Sequence, residues 1–343
     1  MSLSGTYREC WERTVGQKGG LLVAVANTLD PLLGIFANAS ILSQSLQLLL
    51  EGINVYMSVI ACLLLITVVC LLPLCLMKKL DALAPFSTMG MAAVLTALAC
   101  MVLRYLDGSY RPGGEYYDDI PISYRPSFGD VSRPFSVAAL PFICMVYTSM
   151  DMHYNAARFY VELKDATIPR FAQVTYYSFG LTSIIYFSIA IVGFLTFGGN
   201  SDSYILNNYS PRDSLATVSR IAIGLCALVS YPLNFIGVRD NCLDILGLTD
   251  EMNTNAKLNM VTILLLSMLT LTSCFVTDLG LINSVGGGTT VTLVCFIFPA
   301  LMFKHAKEKR GQAQHWEVSL VMGLMVVGVL VGIVGVWVSI AMV

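Results

Sequence analysis

Long apolar stretches separated by short polar segments dominate the pattern of this sequence. A helix that spans a membrane needs about 20 mostly apolar residues. Nine stretches meet this condition, and each predicts one spanning helix. Asp278 and Gly280 interrupt one longer apolar region, so we divide it there. The predicted spans are 20–47, 54–76, 83–105, 134–155, 171–197, 214–237, 257–277, 279–303 and 316–341.

The composition agrees with a protein that lies mostly within a membrane. Of the 343 residues, 56% are apolar and only 12% are charged, whereas soluble domains carry about 25% charge. We therefore expect a cytoplasmic N-terminal segment, residues 1–19, and a transmembrane domain, residues 20–343. The net charge of −2 provides no positive field for nucleic acid. The lipid bilayer is thus an expected partner and nucleic acid is not.

The distribution of lysine and arginine predicts the orientation, because these residues gather on the cytoplasmic side. With the N-terminus inside and nine spans, the C-terminus and the polar loop 106–133 fall outside. Asn208 begins an Asn-Tyr-Ser sequon that also falls outside, so it is a candidate glycosylation site. Only six of the 20 basic residues then lie outside: Arg104, Arg111, Arg125, Arg133, Arg212 and Arg220.

The arrangements of residues that mark common active sites do not occur in the sequence. There is no H-E-x-x-H, no G-x-S-x-G and no Gly-rich phosphate loop. Most of the ten cysteines lie in apolar stretches and no C-x-x-C pair occurs, so we interpret them as packing residues. We therefore expect neither an enzyme nor a bound metal. A transporter, a channel or a receptor would all fit nine spans.

Polar residues inside the spans help to separate these classes, because transporters unwind helices near the membrane midplane to bind solutes. In the first span, Asn27, Asp30, Gly34 and Asn38 share one helical face. A carboxylate inside the membrane costs roughly 2.5–3.5 kcal/mol on insertion scales. We therefore expect Asp30 to face protein or water. A position near the membrane surface, or a purely structural pairing with another helix, is the alternative.

The span 134–155 carries the most polar interruption. Pro141 lies near its start, and the string 147–155 is too polar for contact with lipid. A broken helix with polar residues lining a cavity explains this string, and Asp151 and His153 are then candidates for a proton relay. The alternative is a helix that ends at Thr148 and continues as a cytoplasmic loop.

Two other spans are interrupted as well. In span 214–237, Pro232 has no N–H, so the carbonyl of Leu228 loses its helical partner. This carbonyl and the Ser230 hydroxyl form a candidate ligand pair for a hard cation such as sodium. A simple proline kink is the alternative. In span 279–303, the outer half is polar and rich in glycine.

Several short strings, in a particular order and spacing, resemble those of a known family over roughly residues 6–340. They are MHYNA at 152–156, FYVELK at 159–164, GFLTFG at 193–198, ILNNY at 205–209, Tyr231-Pro232 with Arg239, DLG at 278–280 with Gly286-Gly287, and PAL at 299–301. In these strings the chain resembles the amino acid/auxin permease family. That family includes sodium-coupled neutral and vacuolar amino-acid transporters.

The resemblance implies an all-α, LeuT-like fold of two inverted five-helix repeats and one extra helix. The broken span 134–155 would open the second repeat, so the nine spans correspond to the family's helices 3 to 11. It also implies cation-coupled amino-acid transport by alternating access, with Na⁺ or H⁺ as the coupling ion and no other cofactor. Thr148 and Ser149 would contact the amino-acid substrate, and Ser230 with the Leu228 carbonyl would contact the cation.

Two other functions fit the same pattern. One is an amino-acid sensor that does not transport, and the other is a truncated membrane fragment without transport. Because the family's first two helices are expected to be missing, we expect the chain alone to insert into a membrane without concentrating amino acids. Residence in the plasma membrane and in a vacuolar or lysosomal membrane fit equally well.

Overall fold

The structure is a computed structural model that describes residues 7–77, 86–129, 139–246, 248, 254–276, 278–311 and 314–341. Within these ranges the regular structure is helical, apart from one isolated β-bridge between Ser127 and Gly198. The helices are α1 (Tyr7–Thr14), α2 (Gly20–Gly52), α3 (Val59–Cys75), α4 (Phe86–Asp107), α5 (Ala139–Ser149), α6 (Ala156–Glu162), α7 (Ile168–Phe197), α8 (Ser214–Ile245), α9 (Asn255–Ser273), α10 (Leu279–Lys309) and α11 (His315–Ala341).

Seven of these helices are long and apolar enough to cross a membrane, namely α2, α4, α7, α8, α9, α10 and α11. The shorter apolar helix α3 coincides with an eighth predicted span. The prediction of an all-helical, multi-pass arrangement is therefore confirmed, with seven candidate spans and one shorter apolar helix among the described residues. In the ninth, 134–155, the described part begins at 139 and forms the short helix α5. The predicted division near Asp278 is also present, because α9 ends at Ser273 and α10 begins at Leu279.

Side chains at the helix starts explain several of these boundaries. Asp278 accepts a hydrogen bond from the Leu281 amide at 2.9 Å, and Ser58 accepts one from the Ala61 amide at 3.2 Å. Each bond satisfies an amide that the first helical turn leaves without a partner. The prolines within helices act differently, since α2 continues through Pro31 and α8 through Pro232.

Helices α2 and α8 form the central pair of the bundle, and α4 also packs along α8. Buried side chains from α2, α3, α8 and α9 build the largest core cluster, which includes Ile35, Leu71, Phe235 and Leu266. Helix α7 lies at the periphery and exposes large apolar side chains. Exposed apolar surface of this extent is typical of contact with lipid.

Small residues allow α5, α10 and α11 to approach each other closely. Gly287 of α10 lies against the carbonyl of Cys144 in α5, where a Cβ atom would collide with that oxygen. Gly288 lies in the same way against the carbonyl of Gly332 in α11. Close contacts between small residues are a common means of packing helices in membranes. They hold the short helix α5 firmly against α10.

The loops 108–129 and 198–213 pack together at one end of the bundle, and we call them the loop layer. Asp213, at the start of α8, is fully buried there. Its carboxylate accepts bonds from Arg104, at 2.7 Å from Nη2, and from the Tyr110 hydroxyl at 2.8 Å. Burial and the nearby Asp213 carboxylate raise the pKa of Tyr110 far above its ordinary value, so Tyr110 acts as a neutral donor.

Helix α10 extends from the loop layer at one end of the molecule to Arg13 at the other end. Its start lies next to the loop layer, where Gly280 packs against Ser203. At its other end, Lys309 donates a hydrogen bond to the carbonyl of Arg13 at 3.1 Å. Helix α10 has 31 residues, which corresponds to about 46 Å. Arg13 and the loop layer therefore lie at opposite ends of α10.

Helix α1 is a packed part of the fold. Its Tyr7 hydroxyl donates to the carbonyl of Val294 in α10 at 2.8 Å. The Trp11 ring lies edge-on to Phe298, with 5.4 Å between the ring centroids. The N-terminal segment predicted as residues 1–19 thus closes one end of the bundle from residue 7 onward.

Candidate functional site

The helix that begins with α5 is broken at residues 150–152. After Ser149 the chain leaves helical geometry, and it resumes as a 3₁₀ turn at His153–Asn155 followed by α6. Cys295 of α10 lies beside this break and is about 24 Å from the start of α10. The break therefore lies near the middle of α10. The predicted interruption is present, and the short helix α6 follows it. The position of this segment inside the membrane, rather than in a cytoplasmic loop, stays a prediction.

Three side chains of different chemistry meet at the break. The Cys295 thiol donates to Asp151 Oδ1 at 2.9 Å and lies 2.9 Å from His153 Nδ1. The same carboxylate oxygen accepts the His153 backbone N–H at 3.1 Å. Its distance to His153 Nδ1 is 3.4 Å. The two proton-relay candidates are thus in contact, and they share a partner, Cys295, that the sequence did not identify.

Asp30 of α2 joins this group, and we call Asp30, Asp151, His153 and Cys295 the break cluster. Asp30 is only 7% exposed, and its carboxyl group lies close enough to that of Asp151 for the two to interact. As expected, Asp30 faces protein. Its Oδ2 atom is buried and has no hydrogen-bond partner among the described residues.

The residues of the break cluster differ in how far they are exposed. Tyr7 lies near Asp151, and Tyr154 lies near both Asp30 and Asp151. The side chain of Asp151 is 4% exposed, whereas that of His153 is 40% exposed. His153 therefore connects the buried carboxyl groups with the surface of the described structure.

The two residues predicted to contact substrate lie directly before the break. The Thr148 hydroxyl donates to the carbonyl of Asn283 in α10 at 2.7 Å. The exposed Ser149 donates to the Met145 carbonyl within its own helix at 2.9 Å. Both hydroxyls keep free lone pairs, so they can still accept hydrogen bonds from a ligand.

The predicted cation position lies elsewhere in the bundle. Ser230 donates to the Cys226 carbonyl at 2.9 Å and lines a cavity of about 260 Å³ between α4, α7 and α8. Apolar atoms form most of the cavity wall, and Thr182 and Tyr186 provide its other side-chain oxygens. None of these lining residues belongs to the break cluster. Leu228 packs against the main core on the same helix.

Asn208, the candidate glycosylation site, is fully buried in the loop layer. Its Nδ2 atom donates to the Asn200 carbonyl at 2.8 Å and to the Tyr124 carbonyl at 3.4 Å. A glycan would be attached to this same nitrogen. The geometry therefore favours a structural role for Asn208 in the folded chain, and its modification stays a prediction.

Sequence reasoning missed two parts of the break cluster. Cys295 lies in an apolar stretch and was interpreted as a packing residue, and no local pattern distinguishes it. The contact between Asp30 and Asp151 joins positions far apart in the sequence. One signal was available, because a carboxylate inside a membrane helix requires a partner. That rule predicts that a partner exists without identifying it.

Comparisons with known proteins identify the family. The model of the transmembrane amino acid transporter protein family matches residues 3–341. The chain belongs to this family. The transporter is thus a multi-pass membrane protein of an amino-acid transporter family rather than an enzyme, and the resemblance described above is confirmed.

Individual relatives are distant. The transporter is 25% identical to the provisionally named sodium-coupled neutral amino acid transporter 11 of Danio rerio, over 97% of this chain and 73% of the relative. The human protein of the same name is 24% identical over 90% of this chain and 74% of the relative. Vacuolar amino acid transporter 2 of Saccharomyces cerevisiae is 21% identical over 87% of this chain and 64% of the relative.

Proposed function

We propose that this protein moves amino acids across a membrane by cation-coupled alternating access, with the substrate bound at the helix break. The observation that carries the proposal is the break itself, which places polar groups near the middle of α10. Unwound backbone near the membrane midplane is how many transporters bind solutes. Thr148 and Ser149 would contact the substrate, because they end the helical segment that precedes the break.

The order of helices supports a LeuT-like inverted repeat. Counting α5 and α6 as one broken helix, the next four helices are α7, α8, α9 and α10, which together make one five-helix repeat. Helices α2, α3 and α4 would belong to the other repeat, and α11 would be the extra helix. The described spans would then be the family's helices 3 to 11, with the broken helix and α7 in the moving bundle.

The coupling cation is Na⁺ or H⁺, and each has a candidate position. For H⁺, Asp151 and the partly exposed His153 would form the relay. For Na⁺, Ser230 and the Leu228 carbonyl would supply ligands. The oxygen atoms around Ser230 are few, so additional ligands would have to approach when the transporter changes conformation.

The proposed orientation places α1 and residues 1–19 in the cytoplasm and the loop 106–133 outside. The separation of Arg13 from the loop layer along α10 supports this proposal. An outside position of the loop layer is also compatible with the glycosylation sequon at Asn208. A cysteine introduced at Gly113, in the outer loop, should react with a membrane-impermeant thiol reagent in intact cells. Reaction instead at a cysteine replacing Asp165 would reverse the orientation.

The test of transport is uptake of labelled amino acids into proteoliposomes that contain the 343-residue chain. A pH gradient and a sodium gradient are applied separately, and equilibrium binding of the same amino acids is measured in parallel. Saturable uptake with one of the two gradients would support the proposal, and it would contradict the expectation from the sequence that this chain alone does not concentrate amino acids. Binding without uptake would instead support a sensor, and the absence of both would contradict the proposal.

Variants separate the two ions in the same assay. Asp151→Asn should abolish uptake driven by a pH gradient, whereas Ser230→Ala should weaken uptake driven by sodium. Asp165→Asn is the matched control, because Asp165 lies in a surface turn with 74% of its side chain exposed. It should behave like the unmodified protein with either gradient.

A further inference from the structure

The break cluster has the composition of a transition-metal site. Asp151, His153 and Cys295 each offer one ligand atom, and these atoms lie within 4.8 Å of one another. They come from two parts of the chain that are about 140 residues apart, and the fold brings them together. A thiolate, an imidazole and a carboxylate are together typical ligands of Zn²⁺, whereas Mg²⁺ and Ca²⁺ prefer oxygen atoms alone.

The distances are close to those of a tetrahedral site. Zinc bonds of about 2.3 Å to sulfur and about 2.0 Å to nitrogen or oxygen imply ligand separations of roughly 3.3–3.6 Å. His153 Nδ1 and Asp151 Oδ1 are already 3.4 Å apart. Cys295 Sγ, at 2.9 Å from both, would have to move outward by about half an ångström. When the Cys295 thiol ionises, it loses its hydrogen bond to Asp151. The contact that holds the sulfur close to the carboxylate is then removed.

Asp30 supplies an independent indication of a ligand. Its carboxyl group is 7% exposed, yet Oδ2 has no partner among the described residues. A buried polar atom without a partner costs free energy, and a bound cation would satisfy it. The Asp30 carboxyl group interacts with that of Asp151 and so lies at the edge of the cluster. A movement of its side chain toward the three ligand atoms would supply the fourth ligand.

We propose that the helix break holds a Zn²⁺ site made by Cys295 Sγ, His153 Nδ1, Asp151 and Asp30. The metal takes the place of the thiol proton, so binding weakens as pH falls. It joins α2, the break and α10, and it therefore holds these three elements in one arrangement. This site shares Asp151 and His153 with the proposed proton relay, so a bound Zn²⁺ would block that relay. The test of the metal site does not depend on transport.

The first experiment titrates the detergent-solubilised 343-residue chain with Co²⁺ under reducing conditions. Co²⁺ is a coloured substitute for Zn²⁺, and thiolate ligation gives a sulfur-to-cobalt charge-transfer band in the near ultraviolet. We expect one such site per chain, and Zn²⁺ should remove the band by displacing the weaker-binding Co²⁺. Cys295→Ser should abolish the band. Cys274→Ser is the matched control and should retain it, because Cys274 packs against the core at the end of α9.

His153→Ala and Asp30→Asn should each weaken Co²⁺ binding by at least about 10-fold, since perturbing even outer partners of a metal ligand has effects of this size. A second measurement needs no variant. Zn²⁺ should slow the alkylation of Cys295 in the unmodified protein, measured by peptide mass spectrometry, and leave Cys274 unaffected. The absence of a charge-transfer band, a band that persists in Cys295→Ser, or no protection of Cys295 would each overturn the proposal.

Discussion

Two buried polar networks in this transporter differ in how completely their groups are paired. In the loop layer, both oxygens of Asp213 accept hydrogen bonds, from Arg104, from Tyr110 and from the amides of Leu215 and Ala216. In the break cluster, Asp30 and Asp151 meet each other. Among the described residues their one basic contact is His153.

This difference indicates two different roles for buried charge. A carboxylate that is fully paired with a cation and with N–H groups holds its surroundings in one geometry. Two neighbouring acids beside a thiol and an imidazole can exchange a proton for another cation. We therefore interpret the loop layer as a structural unit. The break is the part that we propose to bind a ligand and to change conformation.

The largest expected effect on stability is that of Asp213→Asn. It removes the charge that compensates the buried Arg104, and breaking a buried pair on one side costs about 3–5 kcal/mol. Thermal unfolding in detergent would measure this loss. The control is Asp107→Asn, because Asp107 also pairs with Arg104 but has 41% of its side chain exposed. It should cost at most about 1 kcal/mol, and equal losses for both variants would contradict the distinction.

Gly287→Ala should have the second-largest effect. The added methyl group would collide with the Cys144 carbonyl, and such overpacking costs about 1–3 kcal/mol. Separation of α5 from α10 should also reduce uptake. The matched control is Gly224→Ala in α8, where no atom lies within 4 Å of the new Cβ. If Gly287→Ala and Gly224→Ala had equal stability and equal uptake, the function of the break would not depend on the close packing of α5 against α10.

A smaller effect on stability, within about 1 kcal/mol, is expected for Asp30→Asn. Asparagine has nearly the same shape as aspartate, and its amide can donate a hydrogen bond to the nearby Asp151. A single hydrogen bond contributes only about 1 kcal/mol. Thermal unfolding again measures the change. A loss as large as that of Asp213→Asn would show that the two networks are structural in the same way.

The smallest effect is expected for Ser230→Ala. Its hydroxyl bonds to a carbonyl of its own helix, so stability should change by no more than about 0.5 kcal/mol. If the sodium position is correct, the apparent sodium affinity in uptake should fall a few-fold, because one ligand of several is lost. An unchanged sodium response would remove Ser230 from that site.

The sequence predicted much of the fold because membrane spans are local patterns. The seven candidate spans, the shorter apolar helix α3 and the break around Asp151 follow from apolar length and polar interruption alone. Contacts between residues far apart in the sequence depend on how the helices pack. The role of Cys295 in the break cluster and the Asp213 network could therefore not be predicted from the sequence pattern. The burial of Asn208 could not be predicted for the same reason, because a sequon carries no information about which residues pack around it.

Two π-turns in α10, Gly287–Val291 and Leu293–Ile297, have a mechanical consequence. A π-turn accommodates about one extra residue compared with an α-turn. Converting one such turn to α geometry would therefore turn the following part of the helix by about 100° and shift it by about 1.5 Å along its axis. Cys295 lies within the second π-turn, so this screw motion would swing its thiol away from Asp151 while Gly280 stayed beside the loop layer. The ends of α10 can thus move relative to each other without unfolding the helix.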